Sequence, residues 1–555
     1  MPALLLDHPA LSPTPPALVG PAPVGLAPAV RRGPAFLRGF VRWSWVVLVA
    51  ASLIQSLWFA TQANQVAVLY VLGAWALLTP TFLTYSSLAR YPISSFLMLG
   101  FGATQFYLPL LFTLLEGKPL VTNLELPYAV FEHSMLALLV LLTAHYCYRV
   151  LARVRLLHTR SLLRRLGVYT PPTHLQLWLM GLIGVAAMFY IYVVSQVGWA
   201  MTGSSSDKFI QTLIPFSYAP YFIYSGRLYG SQQRPAKSTA LWLLLFTIML
   251  FVVSIGRNSR AAFMLSFTAV GFSYGLGLLL GVFENNLLRW RNVLLAGLGI
   301  WFLMGPMSDL GTAMVIVREK RHDISKSELI SLTYEAFWDE EALRDYRAID
   351  YHGISAWDES YLDNIFTARF ANLKFNDESL LLNRQVGNEN PAIYRYTIDY
   401  IWSSLPDPLI RFLGINVDKT QILVCSFGDY LFYTAGNVQE TLSGFRTGHF
   451  AGTGMAAFGW WYLLILGLGM IPVFSLFDKL VVRDTASAAG IRFSLCALLA
   501  LTGVFQFLPF ESVVFSVTFL TRGWLQLVFS YVLLYSVARL LSRLFQDAGQ
   551  GSATS

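Results

Sequence analysis

The chain has 555 residues, 55% of them hydrophobic and only 13% charged, with a formal net charge of +8. Its mean hydropathy is +0.54. No soluble domain hides so much apolar surface, which excludes an ordinary water-soluble enzyme and indicates an integral membrane protein; the positive balance is what basic membrane loops leave behind, not a nucleic-acid signature.

In chain order, residues 1–42 form a proline-rich segment, from Pro2 to Pro28, followed by Arg31, Arg32, Arg38 and Arg42. The prolines break any apolar core and Arg31 and Arg32 follow rather than precede it. The segment therefore reads as a disordered cytoplasmic tail and not as a signal peptide. Residues 43–308 hold the first block of apolar runs, each close to the roughly 20 residues needed to cross a bilayer. The expected spans are 44–61, 66–87, 94–115, 127–148, 174–197, 209–225, 238–255, 262–282 and 290–308. The run at 209–225 carries Pro215, Ser217 and Pro220, so it is expected as a broken or re-entrant segment. Residues 455–543 add spans at 456–477, 491–510 and 518–540, and 544–555 is expected as a second disordered tail. The fold expected is all-α: a polytopic membrane protein of about twelve transmembrane helices.

Placing the N-terminus in the cytoplasm puts the basic clusters inside. These are Arg149 to Arg165, Arg227 with Arg234 and Lys237, Arg289 with Arg291, Lys479 with Arg483, and Arg539 with Arg543. Both termini are then cytoplasmic, and residues 309–454 form one large, mostly helical extracytoplasmic loop. A loop of ~145 residues is too long for a connector and is expected to carry function. Within it, Ser325 and Glu328 fit a capping box, 393–405 and 420–434 read as amphipathic helices, and Pro406 with Pro408 marks a stop between them. Cys147, Cys425 and Cys496 are far apart and read as packing residues.

The turn Ser254-Ile-Gly-Arg-Asn-Ser-Arg260 falls on the translocated side, against the charge bias. A lone arginine there reads as snorkelling to lipid headgroups. Two of them, Arg257 and Arg260, beside amide and hydroxyl donors, suit the phosphates of a lipid-linked substrate. Further candidates in the loop are Asp309, Arg369, Arg395, Asp429, Arg446 and His449, the last two in Phe445-Arg-Thr-Gly-His-Phe-Ala-Gly-Thr-Gly454. A neutral histidine in such a turn can take a proton from a sugar hydroxyl; the bland alternatives are a helix-end residue for Asp309 and solvated charges for the rest.

At these residues the chain resembles the superfamily of bacterial polysaccharide polymerases and O-antigen ligases. Gly256-Arg-Asn-Ser-Arg260 is similar to the polymerases' arginine turn, and Thr447-Gly-His-Phe-Ala-Gly-Thr-Gly454 to the ligases' approach into a membrane helix. The chain departs from the ligase pattern in having Phe450 where an asparagine usually follows the histidine. The resemblance implies a metal-independent glycosyltransferase of the bacterial cytoplasmic membrane, without cofactor. It would polymerise undecaprenyl-diphosphate-linked oligosaccharide units into a surface polysaccharide, an exopolysaccharide or O-antigen, alongside membrane lipid, a flippase and a chain-length regulator. Arg257, Arg260, Arg369, Arg395 and Arg446 would hold the diphosphate. His449, or failing it Asp309 or Asp429, would deprotonate the acceptor. A ligase, a lipid-linked sugar transporter and a scaffold are the rival readings. No nucleotide-binding glycine loop, HExxH, EF-hand or GxSxG pattern occurs, which argues against those chemistries.

Overall fold

The computed structural model describes residues 34–154, 162–194, 205–255, 260–285, 289–317, 326–348, 357–364, 366–422, 425–437, 442, 446–484, 487, 489–508 and 510–551. About 76% of the described structure is helical. Among the described residues the sheet content is one two-stranded hairpin, Val481–Arg483 against Ile491–Phe493. This is an all-α protein.

Among the described residues seven helices are long and apolar enough to cross a membrane: Ala35–Trp58, Gln62–Phe82, Pro92–Leu115, Pro127–Ala152, His174–Tyr192, Trp461–Asp478 and Phe515–Leu544. The first begins inside the expected N-terminal tail, with Leu37 already buried. The helix Trp524–Gly551 likewise runs into the expected C-terminal tail, because extending a seeded helix is easier than starting one. Pro109 removes a backbone donor within Pro92–Leu115, and the ladder widens to a π-turn at Ala103–Tyr107 beside it.

The other expected spans take different forms. Thr239–Ile255 is a single apolar helix of 17 residues, about 25 Å long. Residues 290–308 break at Gly305 into Trp290–Met304 and a second helix, Pro306–Ile316. The doubtful run at 209–225 becomes a 3-10 helix, Ile214–Ser225, with Pro215 in its first turn and Pro220 inside, packed against His174–Phe189. Residues 491–510, expected as one span, are instead the second hairpin strand and two short helices, Leu495–Leu499 and Leu501–Phe505. Their side chains are almost all buried, which is the condition under which irregular backbone survives at membrane depth.

Two helices that each run the full length of the bundle define its ends. Pro92–Leu115 and Pro127–Ala152 share the loop 116–126 at one end. The 357–386 part of the insert docks there. Glu116 accepts the N–H groups of Asp363 (2.8 Å) and Asn364 (3.1 Å), and Tyr361 donates to the carbonyl of Leu120 at 2.7 Å. Asp377 accepts from the N–H groups of Glu125 and Leu126 at 3.0 and 2.7 Å. At the opposite end, Asp478 closes the bundle. Its carboxylate accepts the N–H groups of Ile93 and Ser94 (both 3.0 Å), the Ser94 hydroxyl (2.6 Å) and the Tyr148 hydroxyl (2.9 Å). The insert itself is helical throughout its longer pieces, including Lys326–Trp338, Lys374–Val386, Pro391–Ser403 and Phe427–Thr434. Ser325, the expected capping residue, lies outside the described residues.

Candidate functional site

The helix Phe450–Phe458 and the span Trp461–Asp478 form a helical hairpin around Gly459, so Phe450–Phe458 does not cross. Its turn sits at the insert end, where Trp460 stacks on His133. Nine helical residues put His449 about 13 Å from that turn, inside the bundle. Here the insert, this half-helix and the end of the broken segment 494–514 meet.

Asp429 is the anchor. Ser426 and Asp429 form a reciprocal capping box at the start of Phe427–Thr434. The same carboxylate, wholly buried, accepts the Arg446 backbone N–H at 3.0 Å and its guanidinium at 3.1 Å. Ser426 returns a hydroxyl bond to the Arg446 carbonyl at 2.6 Å, and the Arg446 guanidinium lies over the Phe432 ring at 4.5 Å. Only a glycine permits this closeness: a Cβ on Gly428 would lie 2.5 Å from the Arg446 carbonyl oxygen. Gly452 plays the same part on the half-helix, where a Cβ would lie 2.1 Å from the Ser379 backbone.

His449 caps the half-helix. Its Nδ1 accepts the Ala451 N–H at 3.3 Å, its backbone N–H donates to the Ser379 hydroxyl at 2.8 Å, and it is 3% exposed. Nε2 has no hydrogen-bond partner among the described residues. Burial, reinforced by nearby His133, pushes its pKa down to about 3, so the ring is neutral.

Glu511 completes the cluster. It accepts the N–H of Phe427 at 3.1 Å, while its carbonyl takes the Thr453 hydroxyl at 2.6 Å. It is partly exposed, unlike Asp429. Burial raises its pKa to about 7; the Phe427 N–H opposes this, and the charges of Asp429 and Glu359 add to it. Tyr396, Tyr400, Phe427 and Phe515 form the aromatic packing beside it, with Tyr400 4.8 Å from Phe427 and 5.6 Å from Phe515.

The aromatic series continues from Phe515 through Phe510 (6.1 Å) to Phe507 (5.8 Å). Phe507 lines a largely apolar cavity of about 690 Å³, with Phe216, Leu499, Thr502, Phe519 and Ser530 among its walls. Both irregular segments, the 3-10 helix and residues 494–514, border it.

Of the residues expected from sequence, the structure gathers Asp429, Arg446 and His449. Arg369 is exposed at the edge of the broken segment, where Gln506 donates to its carbonyl at 3.2 Å. Arg395 is not in the cluster: its side chain is 86% exposed, facing Asp399 along its own helix. Asp309 lies in the first turn of Pro306–Ile316, a helix packed on Lys326–Trp338 and Glu340–Ala348 around a separate small core. Arg257 lies outside the described residues, and Arg260 begins the helix Arg260–Leu279. Sequence reading passed over Glu511 and Asp478. The available signal was the same for both, a lone acid embedded in or ending an apolar run.

Among the described residues no group of three or more His, Cys, Asp or Glu could hold a metal ion. Cys425 and Cys496 are buried and Cys147 is exposed, all three as free thiols. No family model, curated protein or solved structure matches the chain.

Proposed function

We propose that this protein is a membrane glycosyltransferase that polymerises diphosphate-lipid-linked oligosaccharide units at the extracytoplasmic face of the bacterial cytoplasmic membrane. The observation that carries the reading is the pairing of a polar cluster with an apolar cavity. Asp429, Arg446, His449 and Glu511 cluster where the insert meets the bundle, and an aromatic series links them to a cavity of about 690 Å³. A substrate with a sugar diphosphate head and an isoprenoid tail needs that combination. The tail takes the cavity and the aromatic side chains meet sugar rings. Arg446, whose side chain keeps 22% of its surface exposed, and the exposed Arg369 beside the broken segment supply cations for the diphosphate. The leaving group already carries its charge, so the protein's task is positioning, charge stabilisation and removal of one proton.

Sidedness follows from the charge bias. Arg149, Arg164, Arg165, Lys479, Arg483 and Arg492 belong to the Asp478 end, which supports placing that end in the cytoplasm and the insert outside.

One observation favours a second reading. Two irregular segments flanking a cavity is also the arrangement transporters use around a substrate site. Deleting the gene and profiling lipid-linked glycans, with outside-only enzymatic labelling, separates the two. Single repeat units accumulating on the outer leaflet are the expected result. Long chains retained on the carrier would make the protein a ligase, and single units held on the inner leaflet would make it a transporter.

A further inference from the structure

We infer that Glu511 is the group that receives the proton of the acceptor hydroxyl, a role that rests on the transferase reading above. Three carboxylate or imidazole groups share the cluster, and only one has the freedom the task requires. Asp429 is wholly buried and already accepts from Ser426, the Arg446 backbone and the Arg446 guanidinium. His449 has its Nδ1 turned onto the Ala451 N–H and is sealed from the surface. Among the described residues Glu511 receives one hydrogen bond on its carboxylate, from the Phe427 N–H, and makes no ion pair, and it is partly exposed.

Its mounting suits the role. The side chain sits at the N-terminus of Phe427–Thr434, and the backbone is tied by Thr453 to the half-helix that carries His449. It also lies on the broken segment whose Phe507 lines the apolar cavity, and the ring series Phe507, Phe510, Phe515 leads from that cavity to the cluster. The charged and titratable groups around it are Asp429, Glu359, Tyr396, Tyr400 and Cys425, with Arg446 neutralising Asp429 and Arg522 acting on Tyr400. Burial and the two acids hold the carboxyl at about 7, where it is part ionised at neutral pH and strong enough as a base.

In the step, the acceptor oxygen forms a bond to the anomeric carbon of the donor. The bond from that carbon to the diphosphate oxygen breaks, its electron pair leaving with the diphosphate, and the hydroxyl proton passes to a Glu511 carboxylate oxygen.

The test uses the full-length protein in proteoliposomes with a diphosphate-lipid-linked oligosaccharide, comparing wild type, Glu511→Gln and Glu511→Asp. Glutamine still accepts from Phe427 but cannot take the proton. The expected result is a fall in kcat of about 100-fold or more in Glu511→Gln with KM within a few-fold. Glu511→Asp should keep measurable turnover, and wild-type activity should rise with pH through about 7 along a limb displaced in the aspartate variant. Wild-type-like kcat in Glu511→Gln would overturn the proposal and leave the transferase reading standing. A wild-type protein that makes no product would overturn that reading and this inference with it. If Glu511→Gln does not fold, an aspartate variant with an unchanged pH limb overturns the assignment.

Discussion

Both ends of the bundle bury a carboxylate, and they satisfy it differently. Asp478 receives four donors, two backbone N–H groups and two hydroxyls, all from the helices it joins. At the insert end the demand is divided: Asp429 takes the cation and the cap, while Glu511 has one donor among the described residues and is partly exposed. A carboxylate saturated by its own helices is a fastener. One held by a single N–H and left partly exposed is available for chemistry.

The comparison can be broken at several points. The largest effect is expected at the Asp429–Arg446 pair, because removing one partner strands a buried charge. Arg446→Met should lower stability by about 3–5 kcal/mol, and adding Asp429→Asn should cost less than the sum of the two single changes. Chemical denaturation in detergent measures both, and strict additivity would mean the pair is not coupled. Next is Gly452→Ala, where the new methyl meets the Ser379 backbone; about 1–3 kcal/mol of overpacking is expected, and an unchanged midpoint would mean the half-helix is loosely seated.

The smallest effect is expected at His449. Loss of its cap should cost about 1 kcal/mol in His449→Ala while turnover persists; a folded but inactive variant would return the base role to the histidine. The ring also leaves a pH signature. Its pKa falls from 6.5 unfolded to about 3 folded, so between these values the unfolded chain binds the extra proton. Stability should therefore drop as pH falls below about 6.5, and that slope should shrink in His449→Ala.

Much of the bundle was legible because apolar length and proline placement act locally. Pro215 and Pro220 marked the irregular stretch now seen as the 3-10 helix, and the Gly-rich turn at 447–454 marked the meeting point of insert and bundle. The break in 491–510 was not legible, since a buried irregular segment and a spanning helix have the same apolar composition; what separates them is the packing of Phe505 on Gly100 and of Phe450 on Phe510. Arg395 illustrates the converse. Its sequence neighbourhood resembles a site, yet helical phase turns it outward. Glu511 lay between Phe510 and Ser512 with no motif around it, and only the fold brings Phe427 and Asp429 to its side.

The most direct measurement sets Glu511→Gln beside Asp478→Asn, recording turnover per folded molecule and unfolding midpoint for each. A crossed result is expected. Glu511→Gln keeps its midpoint and loses turnover, whereas Asp478→Asn loses about 3 kcal/mol of stability and keeps the turnover of what remains folded. Turnover lost at Asp478 with stability intact, or the reverse at Glu511, would contradict the assignment of fastener and reactive group to the two ends.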